Sequence, residues 1–296
     1  MIYTPADLQS DAFADNAPKF AVFGKPIAHS LSPVMQNAAL AELAKADPRF
    51  ARARYDAFEV DSAELNEILP LFAAKNFVGI NLTIPHKETV LPALAEADAE
   101  VLRARACNTL LKTPSGWRGF NTDGFGLETA IQKAFGVDFE NAEVVILGAG
   151  GAARGAAFRA LAKNCGSLSV ANRSRERLQK LADDIRAEGF DCNALELSQD
   201  LEIPENAIVV NATSIGLKPD DAPVLDFSKF PRSAVFFDMP YRRGAETNSV
   251  VAARGAGVRA ASGLPMLAWQ GAKSLSIWTG ADVESAGKTM LKSLGL

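Results

Sequence analysis

A chain of 296 residues with 48% hydrophobic and 22% charged residues has an ordinary globular composition, enough for one large domain or two modest ones. Its formal net charge of −4 and pI near 5.4 give no electrostatic reason to expect nucleic acid or an anionic membrane as partner. No apolar run reaches the roughly 18–20 residues of a bilayer span. The acidic start (Asp7, Asp11, Asp15) lacks a signal-peptide pattern. Cys107, Cys165 and Cys192, with no C-x-x-C pair, and only two histidines, His29 and His86, fit reduced thiols in a cytoplasmic protein without a metal centre.

Short apolar runs alternate with helical patterns almost from end to end, which predicts an α/β fold. The first 17 residues show no period and read as a loose extension. Phe20 to Phe23 reads as a first strand ending at Gly24. A helix is expected from Pro33, with Ser32 as its N-cap. Tyr55–Val60 and Phe77–Leu82 are the next strands, separated by a helix over Ala63–Ala74 that Pro70 bends. Thr113-Pro114-Ser115-Gly116 is a hairpin turn between Thr109–Lys112 and Trp117–Phe120.

A second unit is expected after Thr122. Glu143–Leu147 is a buried strand, Leu168–Ala171 the next, and Arg175–Ala187 a helix. Ile208–Asn211 and Val235–Asp238 continue a parallel series, and the chain turns helical after Gly263.

Gly148-Ala149-Gly150-Gly151-Ala152-Ala153 follows a strand and opens a helix, the context that a dinucleotide-binding loop requires. Gly148 allows the tight turn, Gly150 lets backbone amides approach a pyrophosphate, and Ala153 lets helix and strand pack closely. An NAD site expects a carboxylate about 20 residues on, at the tip of the second strand. That tip reads Asn172-Arg173-Ser174-Arg175-Glu176-Arg177. Arg173 and Arg177 suit a 2′-phosphate, and two cations at a helix N-terminus conflict with the macrodipole unless an anion offsets them. NADP is therefore favoured over NAD.

Four further segments carry chemistry. In His29-Ser30-Leu31-Ser32-Pro33, two hydroxyls at i and i+2 beside a helix start suit a carboxylate, although plain capping also accounts for Ser32 and Pro33. Lys87 follows a strand end near Asn81 and Thr83, and Asp123 precedes Gly124. With Asn108 these groups form a set able to hold vicinal hydroxyls and pass a proton. A neighbouring carboxylate favours charged lysine and burial favours neutral lysine, and the sequence leaves that balance open.

These segments carry a family resemblance. Ser30-Leu31-Ser32-Pro33, Asn81-Leu82-Thr83-Ile84-Pro85-x-Lys87, Asn108-Thr109, Asn121-Thr122-Asp123-Gly124, Gly148-Ala149-Gly150-Gly151 and Asn172-Arg173-Ser174 occur in the order seen in shikimate dehydrogenases. Asn211-Ala212-Thr213-Ser214-x-Gly216, Asp238-Met239-x-Tyr241 and Leu267-x-x-Gln270-Gly271-Ala272 extend it across roughly residues 20 to 290.

The resemblance implies an α/β substrate domain over residues 1–122, completed by 264–296, with a Rossmann-type NADP domain over 123–263 and hinge closure between them. It implies NADPH-dependent reduction of 3-dehydroshikimate, with Lys87 and Asp123 as the catalytic pair. Ser30 and Ser32 would bind the carboxylate, assisted by Tyr241. Thr83, Asn108, Asp123 and Gln270 would hold ring hydroxyls. Gly148, Ala149, Gly150, Gly151, Ala152 and Ala153 would hold the pyrophosphate, and Asn172, Arg173, Ser174 and Arg177 the adenosine 2′-phosphate. Thr213, Met239 and Gly263 would line the remainder of the cofactor site.

A monomer or homodimer is expected. The alternatives are a quinate/shikimate dehydrogenase with dual substrate or NAD use, and a non-catalytic NADP-binding sensor. Two departures fall on the nicotinamide side. The family's Asp-Gly-x-x-Met is Ser262-Gly263-Leu264-Pro265-Met266 here, and the stretch Arg242 to Asn248 is about one residue long and lacks the usual Thr-Pro.

Overall fold

The apolar residues Phe20, Ala21, Val22 and Phe23 are covered on both faces, as a central strand of a parallel sheet requires, and the remaining elements assemble around such strands. The computed structural model describes residues 1–296. The chain divides into two compact units, one of Met1–Thr122 with Leu267–Leu296, the other of Asp123–Met266.

The first unit contains strands β1 (Ile2–Tyr3), β2 (Lys19–Gly24), β3 (Arg54–Glu59), β4 (Phe77–Leu82), β5 (Glu96–Ala97), β6 (Thr109–Thr113) and β7 (Gly116–Phe120). Its helices are α1 (Ser32–Ala46), α2 (Leu65–Ala74), α3 (His86–Thr89) and α4 (Ala99–Ala104). The seven strands lie in the order β1-β3-β2-β4-β6-β7-β5. The four from β1 to β4 are parallel; β6 runs antiparallel to β4 and forms an antiparallel hairpin with β7 through the expected Thr113–Gly116 turn. After β2 the chain goes to one neighbour, β3, and then crosses to the other, β4. That reversal opens a crevice at the carboxyl ends of β2 and β4, the usual ligand position in open α/β sheets.

The N-terminal extension is not loose. β1 pairs with β3, and short 3₁₀ turns at Pro5–Gln9 and Asp11–Phe13 bury Leu8 and Phe13 against Phe58 and Phe77. Aperiodic sequence concealed this because turns of one residue set cannot show a repeat. Lys19, fully buried, secures the segment through the Asp15 carboxylate at 2.9 Å and the Ala17 carbonyl at 3.2 Å.

Helices α9 (Leu264–Thr279) and α10 (Val283–Ser293) follow the second unit's last strand. Trp278 of α9 donates to the Leu110 carbonyl at 2.9 Å and stacks on Phe20. A Cβ on Gly79 would lie 2.3 Å from the Trp278 ring, so only glycine lets α9 sit this close to β4. That approach fixes the height of Gln270 and Ser274, farther up α9.

The second unit begins with α5 (Asp123–Phe135) and continues through β8 (Glu143–Leu147), α6 (Gly151–Ala162), β9 (Ser167–Asn172), α7 (Arg175–Ala187), β10 (Asn193–Glu196), β11 (Ile208–Asn211), β12 (Val235–Asp238), α8 (Asn248–Gly255) and β13 (Arg259–Ser262). All six strands are parallel, in the order β10-β9-β8-β11-β12-β13. In order of appearance this is 3-2-1-4-5-6, the doubly wound dinucleotide-binding arrangement. Its reversal point lies between β8 and β11.

Candidate active site

In the first unit the candidate residues gather at the carboxyl ends of β2 and β4. Ser30 and Ser32 precede and begin α1, where the structure corrects the capping assignment. Ser32 is the first helical residue, and Leu31 at the cap position is itself helical and makes no side-chain cap bond. Ser30 Oγ instead accepts the Ser32 N–H at 3.3 Å, so Ser30 has a structural role that its sequence position did not suggest. Ser32 is buried, and its hydroxyl bonds to that of Tyr55. Burial raises the Tyr55 phenol well above its ordinary range, the Ser32 bond opposing it, so Tyr55 remains neutral.

Lys87 lies half-buried on the one-turn helix α3. Its carbonyl accepts the Cys107 N–H at 2.8 Å, which sets the lysine beside the segment carrying Asn108. Thr83 is tied to β2 by its N–H to the Phe23 carbonyl at 2.9 Å. Burial pushes the Cys107 thiol up to about 12, leaving it inert as a base or nucleophile.

Behind these groups lies a buried polar network. Tyr55 donates to Asn81 Oδ1 at 2.8 Å. Asn81 Nδ2 reaches the Asn108 carbonyl at 3.1 Å and the Thr109 and Ser274 hydroxyls at 3.0 Å each. The Thr122 N–H donates to Asn108 Oδ1 at 2.8 Å, which makes that oxygen the acceptor end of the amide. Asn108 Nδ2 therefore points to Gln270 Oε1 at 3.3 Å and to the Thr122 hydroxyl at 3.0 Å. Gln270 is oriented in the same way, because its Nε2 donates to the Leu267 carbonyl at 2.8 Å. Sequence reasoning missed Tyr55, Thr109, Thr122 and Ser274 as members of this set. Ser274, one helical turn from Gln270 among Ala272, Leu275 and Trp278, carried the one available signal, a hydroxyl within an apolar stripe.

Asp123, Tyr241 and the cofactor-loop residues belong to the second unit. Gly148 has φ +115°, and a Cβ there would lie 3.1 Å from the Ala212 carbonyl oxygen at the β8/β11 reversal. Gly150 differs. It has an ordinary φ of −93° and nothing within 4 Å of where a Cβ would be. No internal contact demands glycine there, so the open space suits a group brought close to the backbone. Gly151, Ala152 and Ala153 begin α6, whose first turn holds no carboxylate, and Ala153 is fully buried. These features fit a bound pyrophosphate.

Asn172 ends β9 and donates to the Ser174 carbonyl at 3.0 Å, and Ser174 caps α7 by accepting from Arg177 N. The Arg173 and Arg177 side chains are exposed at that helix start, while Arg175 has an acidic neighbour, Glu196, at 3.5 Å. Thr213 is bound to Asn211 Oδ1 at 2.7 Å. Asn211 also donates to Asp238 at 2.6 Å. Burial pushes the Asp238 carboxyl up to about 6, with bonds from Thr247 and Asn211 opposing. Thr247 also caps α8, so the departure at 242–248 leaves a working helix start. Met239 and Gly263 are in close backbone contact, a Cβ on Gly263 falling 2.0 Å from the Met239 carbonyl oxygen.

Fold and site together define an α/β protein whose second unit has the dinucleotide-binding arrangement and whose first unit presents a buried, polarised set of hydrogen-bonding groups. Residues 22–110 match the model of the shikimate dehydrogenase substrate binding domain, and 129–225 that of shikimate / quinate 5-dehydrogenase. A shikimate dehydrogenase (NADP(+)) from Methanothrix thermoacetophila is 38% identical over 94% of this chain and 99% of its own. A shikimate dehydrogenase crystallised with NADP+ superposes with a TM-score of 0.83 at 31% identity, covering 94% of this chain and 96% of that one. A ligand-free 5-ketofructose reductase from Gluconobacter superposes with a TM-score of 0.82 at 27% identity, covering 93% and 98%. The chain belongs to the shikimate dehydrogenase family. No helix is long and apolar enough to cross a membrane.

Proposed function

We propose that the protein is an NADP-dependent oxidoreductase that interconverts 3-dehydroshikimate and shikimate. The observation that carries this reading is the oriented amide pair, Asn108 Nδ2 as donor facing Gln270 Oε1 as acceptor at 3.3 Å, in the unit that also holds Lys87, Ser30 and Ser32. A hydroxylated carboxylic acid needs that combination. Relatives named shikimate dehydrogenase (NADP(+)) support it. In this reading Met1–Thr122 with Leu267–Leu296 binds the acid, and Asp123–Met266 binds the nucleotide.

NADPH, when bound, supplies the hydride for the C3 carbonyl. Ser30 and Ser32, with Tyr241, hold the carboxylate, while Thr83, Asn108, Asp123 and Gln270 hold the ring hydroxyls. Lys87, paired with Asp123, donates a proton from Nζ to the developing alkoxide oxygen and takes it back in the oxidative direction. The loop from Gly148 to Ala153 would hold the pyrophosphate, with the Gly148 N–H itself taken by the Ala171 carbonyl at 2.7 Å. Asn172, Arg173, Ser174 and Arg177 would hold the 2′-phosphate, Met239 and Gly263 would lie near the nicotinamide, and Thr213 would line the remainder of the cofactor site.

A second reading, quinate alongside shikimate, is favoured by the match to the shikimate / quinate model. The test is NADP+ reduction with shikimate, quinate or neither, repeated with NAD+. Turnover with shikimate and NADP+ is expected; binding of NADP+ without turnover on either acid would overturn the enzymatic reading.

A further inference from the structure

Ser274 is fully buried on α9, one turn beyond Gln270. A hydroxyl there is costly unless bonded, and alanine would fill the same apolar stripe without that requirement. Four polar neighbours from other positions converge on it. Its Oγ lies 3.0 Å from the Gln270 carbonyl, 2.8 Å from the Thr109 hydroxyl, 3.2 Å from the Thr122 hydroxyl and 3.0 Å from Asn81 Nδ2. One side chain thus ties α9 to β4, to β6 and to the end of the segment after β7.

The proton directions follow from fixed groups. Asn108 Oδ1 takes the Thr122 N–H and has no proton of its own, so the Thr109 hydroxyl, 2.9 Å away, donates to it. Thr109 has a single hydroxyl proton, now committed. Its contact with Ser274 must therefore have Ser274 as the donor, with the Gln270 carbonyl as the second branch of the same donor. Asn81 Nδ2 supplies the proton that Ser274 Oγ accepts. The hydrogen-bond chain runs Asn81 to Ser274 to Thr109 to Asn108 Oδ1, and it keeps Asn108 Nδ2 turned toward Gln270.

We infer that Ser274 is a positioning residue for substrate recognition, which sets the spacing and polarity of the Asn108–Gln270 amide pair without touching the ligand. This rests on the substrate reading above. Removing the hydroxyl takes away one of the two donors to the Thr109 oxygen, leaving Asn81 Nδ2 at 3.0 Å, and removes the tie between the Gln270 turn of α9 and β6 that does not run through the Gln270 side chain itself.

The experiment is steady-state kinetics of Ser274→Ala, Thr109→Val and the double variant with shikimate and NADP+, beside urea denaturation of each. Losing one buried hydrogen bond predicts a KM for shikimate raised roughly tenfold in Ser274→Ala. The KM for NADP+ and kcat stay within about twofold, the pattern of lost uniform binding. In the Thr109→Val background, Ser274→Ala adds no further rise, because the coupling runs through Thr109. A lower urea midpoint with unchanged KM, or two additive effects, would overturn the role. If Ser274→Ala does not fold, Ser274→Thr and Thr109→Val carry the test: Thr retains the hydroxyl and the wild-type KM, Val does not. A wild-type protein inert toward shikimate overturns the substrate reading itself, whereas an active one with unaltered variants overturns only this assignment.

Discussion

The Thr122 backbone N–H donates to Asn108 Oδ1 at 2.8 Å, and this bond decides which end of the amide is available to a ligand. A backbone N–H cannot reverse its role, so the side chain cannot flip without losing it. Asn108→Asp replaces the donor end by a second acceptor, opposed to Gln270 Oε1 at 3.3 Å in a buried position. An unpaired buried acceptor or charge costs roughly 1–3 kcal/mol or more. The expected outcome is an unfolding free energy, from urea denaturation, lowered by that amount and loss of detectable shikimate binding by calorimetry. A variant with wild-type stability and affinity would mean that the amide is free to turn.

Lys87 presents the chemistry most open to a kinetic test. Replacing it by Ala removes the proposed acid–base group while the Lys87 carbonyl bond to Cys107 N at 2.8 Å survives, since that bond is backbone only. kcat is expected to fall roughly 10²–10⁴-fold with KM for shikimate changed far less. A KM effect with kcat preserved would make Lys87 a binding residue.

The parallel strands were legible because buried strands show continuous apolar runs. Val235–Asp238 and Ile208–Asn211 appear in the structure with the expected bounds. Strand β13 was not legible, since Arg259-Ala260-Ala261-Ser262 has neither run nor alternation and is defined by pairing with β12. The same limit applies to the site. Motif residues stand out by spacing, but Tyr55 and Ser274 join it through long-range contacts, such as those with Asn81, 26 and 193 positions away in sequence. No local pattern encodes such a contact.

Two glycines near the cofactor loop separate fold from binding. At Gly263 a Cβ would sit 2.0 Å from the Met239 carbonyl oxygen, so Gly263→Ala is expected to destabilise by roughly 1–3 kcal/mol or more through overpacking. At Gly150 the added methyl meets nothing within 4 Å. Gly150→Ala should leave the melting temperature unchanged or slightly raised, while weakening NADP+ binding measured by fluorescence titration. Unchanged NADP+ affinity would remove Gly150 from the pyrophosphate site.

Arg173→Ala and Arg177→Ala test the nucleotide choice. Each removes a cation from the start of α7, where the helix dipole disfavours positive charge. A lost charge-assisted bond of roughly 1.5–3 kcal/mol predicts a KM for NADP+ raised about 10- to 100-fold, with the KM for NAD+ unaltered. Equal changes for both nucleotides would sink the 2′-phosphate assignment.

His86 and Asp238 give the protein opposing dependences on pH. His86 is fully buried with neither ring nitrogen at hydrogen-bonding geometry, and burial holds its pKa below the ordinary 6.5, the Val60 carbonyl and Asp61 carboxylate offsetting part of the effect. The unfolded chain therefore binds more protons there, and stability falls as pH drops through 6.5. Asp238 works in the other direction. Its carboxyl is pushed from 3.8 up to about 6, so the folded state holds the extra proton and stability falls as pH rises between those values. At about 1.4 kcal/mol for each unit, that loss amounts to roughly 3 kcal/mol above pH 6. Asp238→Asn keeps an acceptor for Asn211 Nδ2, and the Thr247 hydroxyl can turn to accept from the new amide. Urea denaturation at pH 4 and pH 7 should show the variant gaining on the wild type by up to that amount, and His86→Phe should flatten the decline below pH 6.5. Parallel wild-type and Asp238→Asn profiles between pH 4 and 7 would mean that Asp238 is ionised in the folded protein throughout that range.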